Sequence, residues 1–349
     1  MAVRDITIVG AGPAGLITGL KLLEAGFTPT ILDKQQEIVS TLCGEGLSAD
    51  ALARVPFQDW SAYAPQEFSH ATFIFPNGTR AYAQKKCYTM DRTSWFRAMA
   101  AEFEQRGGEL RLGTKVERVA DLKADLIIGA DGPFSLVGKA VGNRMEHIGG
   151  VQYRVRSSYA FDGMEFFIDK RYSPEYSWIF AKGKTLNVGL LGRQKDLEKF
   201  IADRALPDLE ILKKEAYNIP FFGTKIQEGN LVLTGDAAGV TNPLTKGGMA
   251  ACIHVAEILV DCVLRDKVGE YQQRVFSHPV MAPEYREALR YFREIDNSSL
   301  DKAGAMLNGR DLAHLDRATK LKIVVGGLTH PRKMRTLMKA SSYANKYSW

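Results

Sequence analysis

The stretch Gly10-Ala11-Gly12-Pro13-Ala14-Gly15 decides the fold of this chain. It follows the β-branched run DITIV (5–9) and leads into LITGLKLLEAG (16–26), which has helical periodicity and stops at a glycine. A second apolar run, PTILDK (29–34), comes next. Strand, glycine turn, helix and strand in this order predict a βαβ unit.

The spacing of the glycines assigns a role to each of them. Gly10 allows the tight turn, Gly12 lets the backbone approach a pyrophosphate, and Gly15 lets the helix pack closely on the strand. Asp33, at the end of the second strand, is placed to accept a hydrogen bond from a ribose hydroxyl. The helix N-terminus suits the phosphates, since its N–H groups are unpaired and its dipole is positive there. The sequence therefore predicts a dinucleotide site.

The composition is that of an ordinary globular protein, with 45% hydrophobic and 25% charged residues. The 349 residues suffice for one large domain or two intertwined ones. The N-terminus shows no secretory signal pattern, and no apolar run approaches the ~18 residues needed to cross a bilayer. The four cysteines, at positions 43, 87, 252 and 262, have neither CxxC spacing nor a disulfide framework. We therefore expect a cytoplasmic protein with reduced thiols.

The net charge of +6 is concentrated near the C-terminus. Between residues 310 and 349 nine Lys or Arg face two acids. Such a block favours an anionic partner, either a phospholipid surface, a phosphate-bearing substrate or an acidic carrier, although a solvated helical face is an equally acceptable interpretation. The chain has no paired aromatic RNA-binding motifs, so we expect no nucleic-acid partner.

The remaining pattern predicts further strands and helices. A hairpin is expected over 68–83 around Pro76-Asn77-Gly78, and the apolar run 124–135 reads as a buried strand. Antiparallel strands are expected between 151 and 191. The other predicted elements are helices at 93–106, 194–203, 208–216 and 247–266, a strand at 109–116, a buried strand that leads into a glycine-rich turn over 230–239, and mostly helices after 270.

Three glycine-rich stretches together resemble the flavoprotein monooxygenase-like superfamily: GAGPAG (10–15), GADGPFSLVG (129–138) and LTGDAAG (233–239). In that superfamily FAD occupies the first βαβ unit. The resemblance implies that Asp236 accepts from a ribityl hydroxyl, that Gly239 lies near the pyrophosphate, and that Arg92 contacts the flavin. Arg92 as an exposed helix-start charge is the alternative, and Asp131 is as well suited to capping its loop as to touching FAD.

The finer resemblance is to the geranylgeranyl reductase family. It rests on GDAAGVTNPLTKGGMAA (235–251), on the loop TLCGEGL (41–47), and on PEYSWIF (174–180) followed by Asn187-Val188-Gly189. Ala181 stands where the family has a proline after the aromatic run. The resemblance implies further cofactor contacts at Ala14, Lys34, Cys43, Gly44, Gly247, Gly248 and Met249.

Resemblance to this family implies reduction of C=C bonds in geranylgeranyl chains, carried by a lipid precursor, a quinone tail or a prenyl diphosphate. Tyr176, Trp178 and Phe180 alternate along a predicted strand and share one face. That face would line an isoprenoid cavity, although ordinary sheet-core packing uses the same pattern.

Cys43 and Glu45 are the candidate proton donors of the glycine loop. An ordinary thiol has a pKa of about 8.5 and is protonated at neutral pH. Glu45 would hold a proton only if burial raised its pKa. In the alternative interpretation, Gly44 and Gly46 merely let the loop pass close to the flavin and Cys43 fills a gap. A Cys43–Cys87 disulfide is poorly compatible with a cytoplasmic protein, and Cys252 and Cys262 fit a helix core.

The predicted class is α/β, with a Rossmann-like FAD-binding domain, an antiparallel β-sheet substrate domain and a C-terminal helical segment. The boundaries are 1–60, 86–150 and 227–266 for the first, 61–85 and 151–226 for the second, and 267–349 for the third. Only one dinucleotide fingerprint is present, so electrons are expected from NAD(P)H, a ferredoxin or another external carrier. An FAD-dependent monooxygenase or halogenase on the same scaffold is the alternative function, and no metal site is expected.

Overall fold

A computed structural model describes residues 3–40, 43–312, 314–316 and 331–347. Thr41 and Leu42 of the glycine loop, and Arg317, Lys320 and Lys322 of the basic block, lie outside the described residues. The strands are β1 Ile6–Val9, β2 Thr30–Leu32, β3 Gly46–Ser48, β4 Gln66–Phe68, β5 Ala71–Ile74, β6 Arg80–Ala83, β7 Cys87–Thr89, β8 Glu109–Arg111, β9 Leu126–Gly129, β10 Glu146–Arg156, β11 Met164–Phe167, β12 Ser177–Lys182, β13 Thr185–Leu191, β14 Glu210–Phe221, β15 Gln227–Glu228 and β16 Leu231–Leu233.

The helices surround the first sheet and form the C-terminal part. They are α1 Pro13–Glu24, α2 Ala49–Leu52, α3 Arg92–Gln105, α4 Leu136–Val141, α5 Gln194–Arg204, α6 Gly235–Ala238, α7 Met249–Leu264, α8 Tyr271–Ser277, α9 Glu284–Glu294, α10 Asn297–Leu307 and α11 Pro331–Tyr347. Short 3-10 segments lie at Gln58–Tyr63, Val119–Asp121, Val268–Glu270 and Pro279–Met281. Within the described residues no helix combines the length and apolarity needed to cross a bilayer.

The first sheet carries the predicted βαβ unit. Its six strands run in the order β15-β16-β9-β1-β2-β8, and all neighbours are parallel except β15 and β16. Strands β1 and β9 in the middle of the sheet are wholly buried because helices α1, α3 and α7 cover them, whereas the edge strands β8 and β15 are partly exposed. The carboxyl ends of β1, β2, β9 and β16 therefore meet at one edge, where parallel α/β sheets bind ligands.

The second sheet is larger and mainly antiparallel. Its seven strands run in the order β14-β10-β13-β12-β11-β5-β6, with one parallel pair, β11 and β5. Helix α5 packs against it, and Phe200 of that helix is fully buried among the sheet's aromatic residues. A third, three-stranded sheet, β3-β7-β4, carries the strand that begins at Gly46.

The C-terminal helices pack on one another through small residues. Ala288 on α9 and Ala340 and Ala344 on α11 are buried together. Lys339 and Lys333 on α11 form ion pairs with Glu284 and Glu294 on α9, respectively. Part of the basic block is therefore neutralised within the protein.

The expected architecture is confirmed: a Rossmann-like α/β unit, an antiparallel sheet and C-terminal helices. The hairpin, and the helices expected at 93–106, 194–203 and 247–266, are present as α3, α5 and α7. The strand expected over 109–116 is shorter, ending at Arg111. The domain boundaries themselves stay a prediction.

The helix predicted at 208–216 is wrong, because this segment belongs to strand β14. Glu, Lys and Ala in EILKKEAY are good helix formers, yet helix propensity is a weak preference. The strand instead pairs antiparallel along the whole of β10, from Glu146 opposite Phe221 to Arg156 opposite Glu210. Its first residues are exposed because β14 is an edge strand, so charged side chains there remain in water.

Candidate functional site

A cavity of about 560 Å³ lies between the carboxyl edge of the parallel sheet and the aromatic face of the antiparallel sheet. It brings together most of the residues singled out in the sequence. The predicted cofactor residues that line it are Gly10, Gly12, Ala14, Asp33, Lys34, Cys43, Gly44, Arg92, Asp236, Gly247, Gly248 and Met249. Gly15 and Gly239 are not among the lining residues.

The glycines of the first turn act as their spacing predicts. Gly10 has φ +109°, and a Cβ there would lie 2.4 Å from the Ala130 carbonyl oxygen. A Cβ on Gly15 would lie 1.9 Å from the Gly10 carbonyl oxygen, so this glycine serves helix packing. A Cβ on Gly12, in contrast, would meet no protein atom within 4 Å. The cavity side of the turn is therefore open to a ligand.

Asp33 closes the turn and faces the cavity. Its Oδ2 accepts from the Ala11 N–H at 2.6 Å, and its Oδ1 accepts from the Gln35 N–H at 2.8 Å. Two backbone donors hold the carboxylate in place, and each oxygen keeps a further lone pair for a hydroxyl group.

Asp236 sits on the opposite side of the cavity and is held by two hydroxyl groups. Tyr217 donates to Oδ2 at 2.8 Å and Thr241 to Oδ1 at 3.0 Å. Burial raises the pKa of Asp236 above its ordinary value. Gly248, just before α7, lies close by, since a Cβ there would be 3.8 Å from the Asp236 carboxylate. Gly239 has φ +65° and faces Gly223 instead of the cavity.

Arg92 is buried at the start of α3 and lines the cavity. Its guanidinium carbon lies 4.9 Å from the centre of the Phe96 ring, and its Nε has no hydrogen-bond partner among the described residues. The alternative of an exposed helix-start charge is therefore wrong. A buried donor without a partner requires an acceptor, which a ligand in this cavity would supply.

Asp131 is occupied by its own helix. Its carboxylate accepts from the Ser135 hydroxyl and from the Leu136 N–H at 2.6 Å, at the start of α4. The capping interpretation of Asp131 accounts for these contacts.

The glycine loop crosses the cavity as a tight turn on the aromatic face. The Glu45 N–H donates to the Cys43 Sγ at 3.2 Å, and Glu45 itself has φ +66°. A Cβ on Gly44 would lie 2.8 Å from the Phe180 ring, and one on Gly46 would lie 2.8 Å from the Met164 Sδ. Both glycines are thus required by close approach to the sheet.

Tyr176, Trp178 and Phe180 form a row of aromatic rings along β12. Neighbouring ring centres lie 6.1 and 6.3 Å apart, and Phe166 from β11 packs at 4.9 Å from Phe180. All four rings line the cavity. The Tyr176 hydroxyl donates to the Thr245 carbonyl at 2.6 Å, and burial raises its pKa well above the ordinary value. The row is both core and cavity wall, so the two interpretations of the pattern are compatible.

Glu45 lines the cavity, and its carboxylate takes part in a buried polar cluster. Its carboxylate accepts from Lys182 at 2.8 Å, from Asn187 at 2.9 Å and from Arg154 at 3.2 Å. Three donors, two of them cationic, hold this carboxylate in place. The proton-donor role considered for Glu45 stays a prediction.

A second buried charge cluster borders the cavity at Lys246. Its Nζ lies 2.5 Å from Glu175, which is fully buried and also pairs with Arg293 at 2.6 Å. Burial lowers the pKa of Lys246 to about 8. Lys246 is not among the site residues that the family resemblance implied, although it stands in the stretch NPLTKGG (242–248).

The cysteines are free thiols, so no Cys43–Cys87 disulfide is present. Cys87 is fully buried, and burial raises its pKa to about 12. Cys252 and Cys262 are buried on α7, as expected for core residues. Cys43 is half-buried and is the partly accessible thiol of the chain.

Several cavity residues were missed by sequence reasoning. Tyr217 and Ile219 were placed in or beside a helix, and only their alternation marks a strand face. Gln152 is not a lining residue but contacts the turn and the row from behind. It carries no local signal, since its contacts depend on register with neighbouring strands.

Comparison with known proteins supports the cofactor and the family. Residues 4–52 match the model of an FAD binding domain. The digeranylgeranylglycerophospholipid reductase 2 of Methanopyrus kandleri is 27% identical, over 89% of this chain and 92% of the relative. The digeranylgeranylglycerophospholipid reductase 3 of Methanosphaera stadtmanae is 25% identical over 96% and 98%. The expected resemblance to geranylgeranyl reductases is confirmed.

Solved structures show how widely the fold is shared. A geranylgeranyl bacteriochlorophyll reductase-like protein of Thermoplasma acidophilum superposes with a TM-score of 0.82 at 20% identity, covering 97% of this chain and all of that one. The flavin-dependent halogenase CmlS reaches 0.71 at 16% identity, covering 98% and 72%. These likenesses establish the fold, which halogenases and geranylgeranyl reductase-like proteins have in common.

The residues present fit FAD. The cavity offers an open glycine turn at Gly12, a held carboxylate at each end in Asp33 and Asp236, and the unpartnered Arg92 Nε. An open glycine turn suits the phosphates, a carboxylate suits a sugar hydroxyl, and an arginine donor suits the flavin ring.

Proposed function

We propose that this protein is an FAD-dependent oxidoreductase that reduces C=C bonds of geranylgeranyl chains in lipid biosynthesis. The observation that carries the proposal is the shared cavity: the Cys43 turn and the Tyr176–Phe180 aromatic row face the same space as the dinucleotide turn. The curated relatives are named as reductases of digeranylgeranylglycerophospholipid, so a glycerophospholipid precursor is the substrate class we put first. A quinone tail and a prenyl diphosphate offer the same isoprenoid chain.

We assign cofactor binding to the residues that line the dinucleotide side of the cavity. Gly12 and Ala14 would border the phosphates, Asp33 a ribose and Asp236 a ribityl hydroxyl. Arg92, with its free Nε, would donate to the cofactor. Lys34, Gly44, Gly247, Gly248 and Met249 complete the lining.

The aromatic row would bind the isoprenoid and exclude water. Apolar burial provides ~25 cal/mol per Å² of surface removed from water. Trp178 and Phe180 line the cavity, and an aromatic ring face would stabilise the positive charge that develops on an alkene during protonation. Tyr176 is locked by its hydrogen bond to Thr245, which keeps that wall rigid.

Reduction of an isolated C=C bond needs a hydride on one carbon and a proton on the other. Bound reduced FAD supplies the hydride. Cys43 would supply the proton: its S–H bond breaks, a C–H bond forms, and solvent restores the proton to the thiolate. The Sγ accepts the Glu45 N–H, and this contact does not use the thiol hydrogen.

We assign Glu45 a positioning role beneath the turn. Its carboxylate is bound by Lys182, Arg154 and Asn187, which anchors the residue that follows the Gly44 peptide. The proton-donor role considered for Glu45 stays a prediction.

The proposal also covers the electron donor and the cellular location of the enzyme. An external carrier, either NAD(P)H, a ferredoxin or a comparable protein, would reduce the flavin. A cytoplasmic enzyme bound peripherally to a membrane would reach lipid substrates. Arg332 and Arg335 support this, since both are exposed on α11 and have no ion pair among the described residues.

The test uses purified, FAD-loaded protein under anaerobic conditions with dithionite as reductant. Digeranylgeranylglycerophospholipid, geranylgeranyl diphosphate and a geranylgeranylated quinone are incubated separately, and products are analysed by mass spectrometry. We expect the addition of two hydrogens per reduced bond in at least the phospholipid. Unchanged prenyl chains in all three substrates would refute the proposal. Substrate-dependent oxygen uptake coupled to NADPH oxidation would favour the monooxygenase or halogenase alternative instead.

A further inference from the structure

Gln152 is a fully buried amide in the middle of the antiparallel sheet, between the glycine turn and the aromatic row. Its Nε2 donates to the Cys43 carbonyl oxygen at 3.1 Å and to Glu215 at 3.2 Å. Its Oε1 accepts from the Trp178 indole N–H at 2.9 Å. One side chain therefore joins the proposed proton donor to the cavity wall.

The orientation of this amide is dictated by its partners. An indole N–H only donates, and a backbone carbonyl or a carboxylate only accepts. The oxygen of Gln152 must consequently face Trp178, and its nitrogen must face Cys43 and Glu215. Among the twenty side chains, glutamine combines the needed reach with one donor end and one acceptor end.

The strand register makes room for this bridge. Gly189 on β13 lies opposite Gln152 on β10 and opposite Trp178 on β12. A Cβ on Gly189 would lie 2.3 Å from the Trp178 ring. The missing side chain lets the indole extend across β13 to the Gln152 amide.

A second row of residues fixes the rest of the turn. Asn187 lies opposite Arg154 on one side and Phe180 on the other. Its Nδ2 donates to the Gly44 carbonyl at 3.1 Å and to the Glu45 carboxylate at 2.9 Å. Arg154 links Glu45 to Glu215, which returns to Gln152. These contacts form a ring that is largely buried, although Arg154 is 22% exposed, so the loss of one member leaves further polar groups unpaired.

We propose that Gln152 is a positioning residue that holds Cys43 at a fixed place relative to the Trp178 wall, and thereby directs the proton to one face of the bound alkene. This inference rests on the proposed function. Misplacement of a reacting group by about 1 Å costs up to about a hundredfold in rate, so a change at Gln152 acts on the reaction without touching the substrate.

The test compares Gln152→Leu and Gln152→Glu with a matched control. Gln194→Leu serves as the control, because Gln194 lies on α5, outside the cavity, and its amide binds Glu198. Alkylation of Cys43 by iodoacetamide is followed by mass spectrometry on oxidised, FAD-loaded protein; the other three cysteines are buried. Prenyl reduction is followed in parallel, with the diastereomer ratio of the reduced product.

We expect Gln152→Leu to keep FAD, to alkylate Cys43 severalfold faster, to reduce prenyl chains about tenfold or more slowly, and to give a mixed diastereomer ratio. Gln194→Leu should match the unsubstituted protein. In Gln152→Glu the new carboxylate lies beside two hydrogen-bond acceptors, the Glu215 carboxylate and the Cys43 carbonyl oxygen. When the new side chain is protonated, its O–H can donate to one of these acceptors. The reduction rate of this variant, relative to the unsubstituted protein, should therefore recover as the pH is lowered.

Unchanged alkylation in Gln152→Leu, or faster alkylation with unchanged rate and diastereomer ratio, would overturn the inference. If Gln152→Leu does not fold, a Gln152→Glu variant whose relative rate is independent of pH overturns it equally. The alkylation measurement does not depend on prenyl reduction. Faster alkylation in Gln152→Leu, in a protein that reduces no prenyl substrate, would refute the proposed function and the proton role while leaving the placement of Cys43 by Gln152 established.

Discussion

At the scale of single residues, Cys43 gains its proposed role from its immediate contacts. The loop sequence alone left a passive thiol and a proton donor equally open. In the structure the Sγ receives the Glu45 N–H, and the Cys43 carbonyl receives the Gln152 amide. The thiol is thus held by its own turn through a contact that does not use its hydrogen.

Replacement of Cys43 by alanine should separate binding from chemistry. We expect Cys43→Ala to retain FAD, because the dinucleotide cradle is elsewhere in the cavity, and to lower prenyl reduction by about a hundredfold, the usual worth of a positioned proton donor. The flavin absorbance of the purified variant and its single-turnover rate check both expectations. Cys262→Ala is the control, because this thiol is buried and lies outside the cavity lining. Loss of FAD from Cys43→Ala, or normal turnover, would make the loop a spacer.

At the scale of elements, strand β14 shows how pairing overrides local preference. Its first half has a helix-forming composition, and yet it completes the sheet beside β10. This places Tyr217 opposite Gly150 and brings its hydroxyl to Asp236. A cofactor-side contact thus comes from an element that local propensity assigns to a helix.

Removal of the Tyr217 hydroxyl should weaken FAD binding. In Tyr217→Phe the buried Asp236 keeps Thr241 as its described hydroxyl donor, and an unmet buried acceptor costs ~1–3 kcal/mol. We expect a raised FAD dissociation constant in fluorescence titration of the apoprotein. Tyr159→Phe provides the comparison, since the Tyr159 hydroxyl binds Glu165 outside the cavity. Equal affinities in the two variants would contradict the role given to Tyr217.

Helix α7 carries a histidine that should make stability depend on pH. Burial, and then the charge of Arg54, lower the pKa of His254 to about 4. Glu257 opposes this shift, while His278 and Lys21 add to it. Because the unfolded chain binds the proton at a pKa near 6.5, the contribution of His254 is complete above pH 6.5 and is lost as the pH falls to about 4.

The size of this effect is of order 2 kcal/mol, and urea unfolding at pH 4.5 and 7 measures it. We expect His254→Asn to lose less stability between these two pH values than the unsubstituted protein. His314→Asn is the control, since that imidazole is 79% exposed. Identical pH dependence in the His254 and His314 variants would show that other groups cause the acid sensitivity.

At the scale of the whole molecule, two sheets enclose one cavity, and the C-terminal helices lie outside it. The described ion pairs of α11 neutralise Lys333 and Lys339, while Arg332 and Arg335 remain exposed. The basic block is therefore partly a packed helical face and partly an exposed positive surface. Both interpretations of its sequence, a helical face and a site for an anionic partner, are compatible with this arrangement.

That free surface should bind anionic membranes. We expect the protein to co-sediment with vesicles containing phosphatidylglycerol and not with neutral vesicles, with binding that declines as salt rises. Arg332→Gln with Arg335→Gln should weaken it. The control pair is Arg111→Gln with Arg118→Gln, whose exposed arginines pair with Glu109 and Asp121. Equal binding by both double variants would dissociate membrane attachment from α11.

The sequence by itself determined the parts of this protein that depend on neighbours in the chain. The glycine turn, its flanking strand and helix, the acid at Asp33 and the long helix α7 are local patterns, and backbone geometry fixes their meaning. The stretches that resemble the geranylgeranyl reductase family likewise indicated the cavity lining, because each is a short segment next to a strand or helix that the local pattern predicts.

Contacts between residues of different strands depend on the folded sheet. The edge strand β14, the Gln152 bridge, the burial of Glu45 among Lys182 and Arg154, and the Lys246–Glu175 pair all join residues far apart in the chain. Strand register sets these contacts, and a shift of one residue would turn every side chain to the other face. The packing of the whole sheet fixes the register, so no local stretch of sequence determines it.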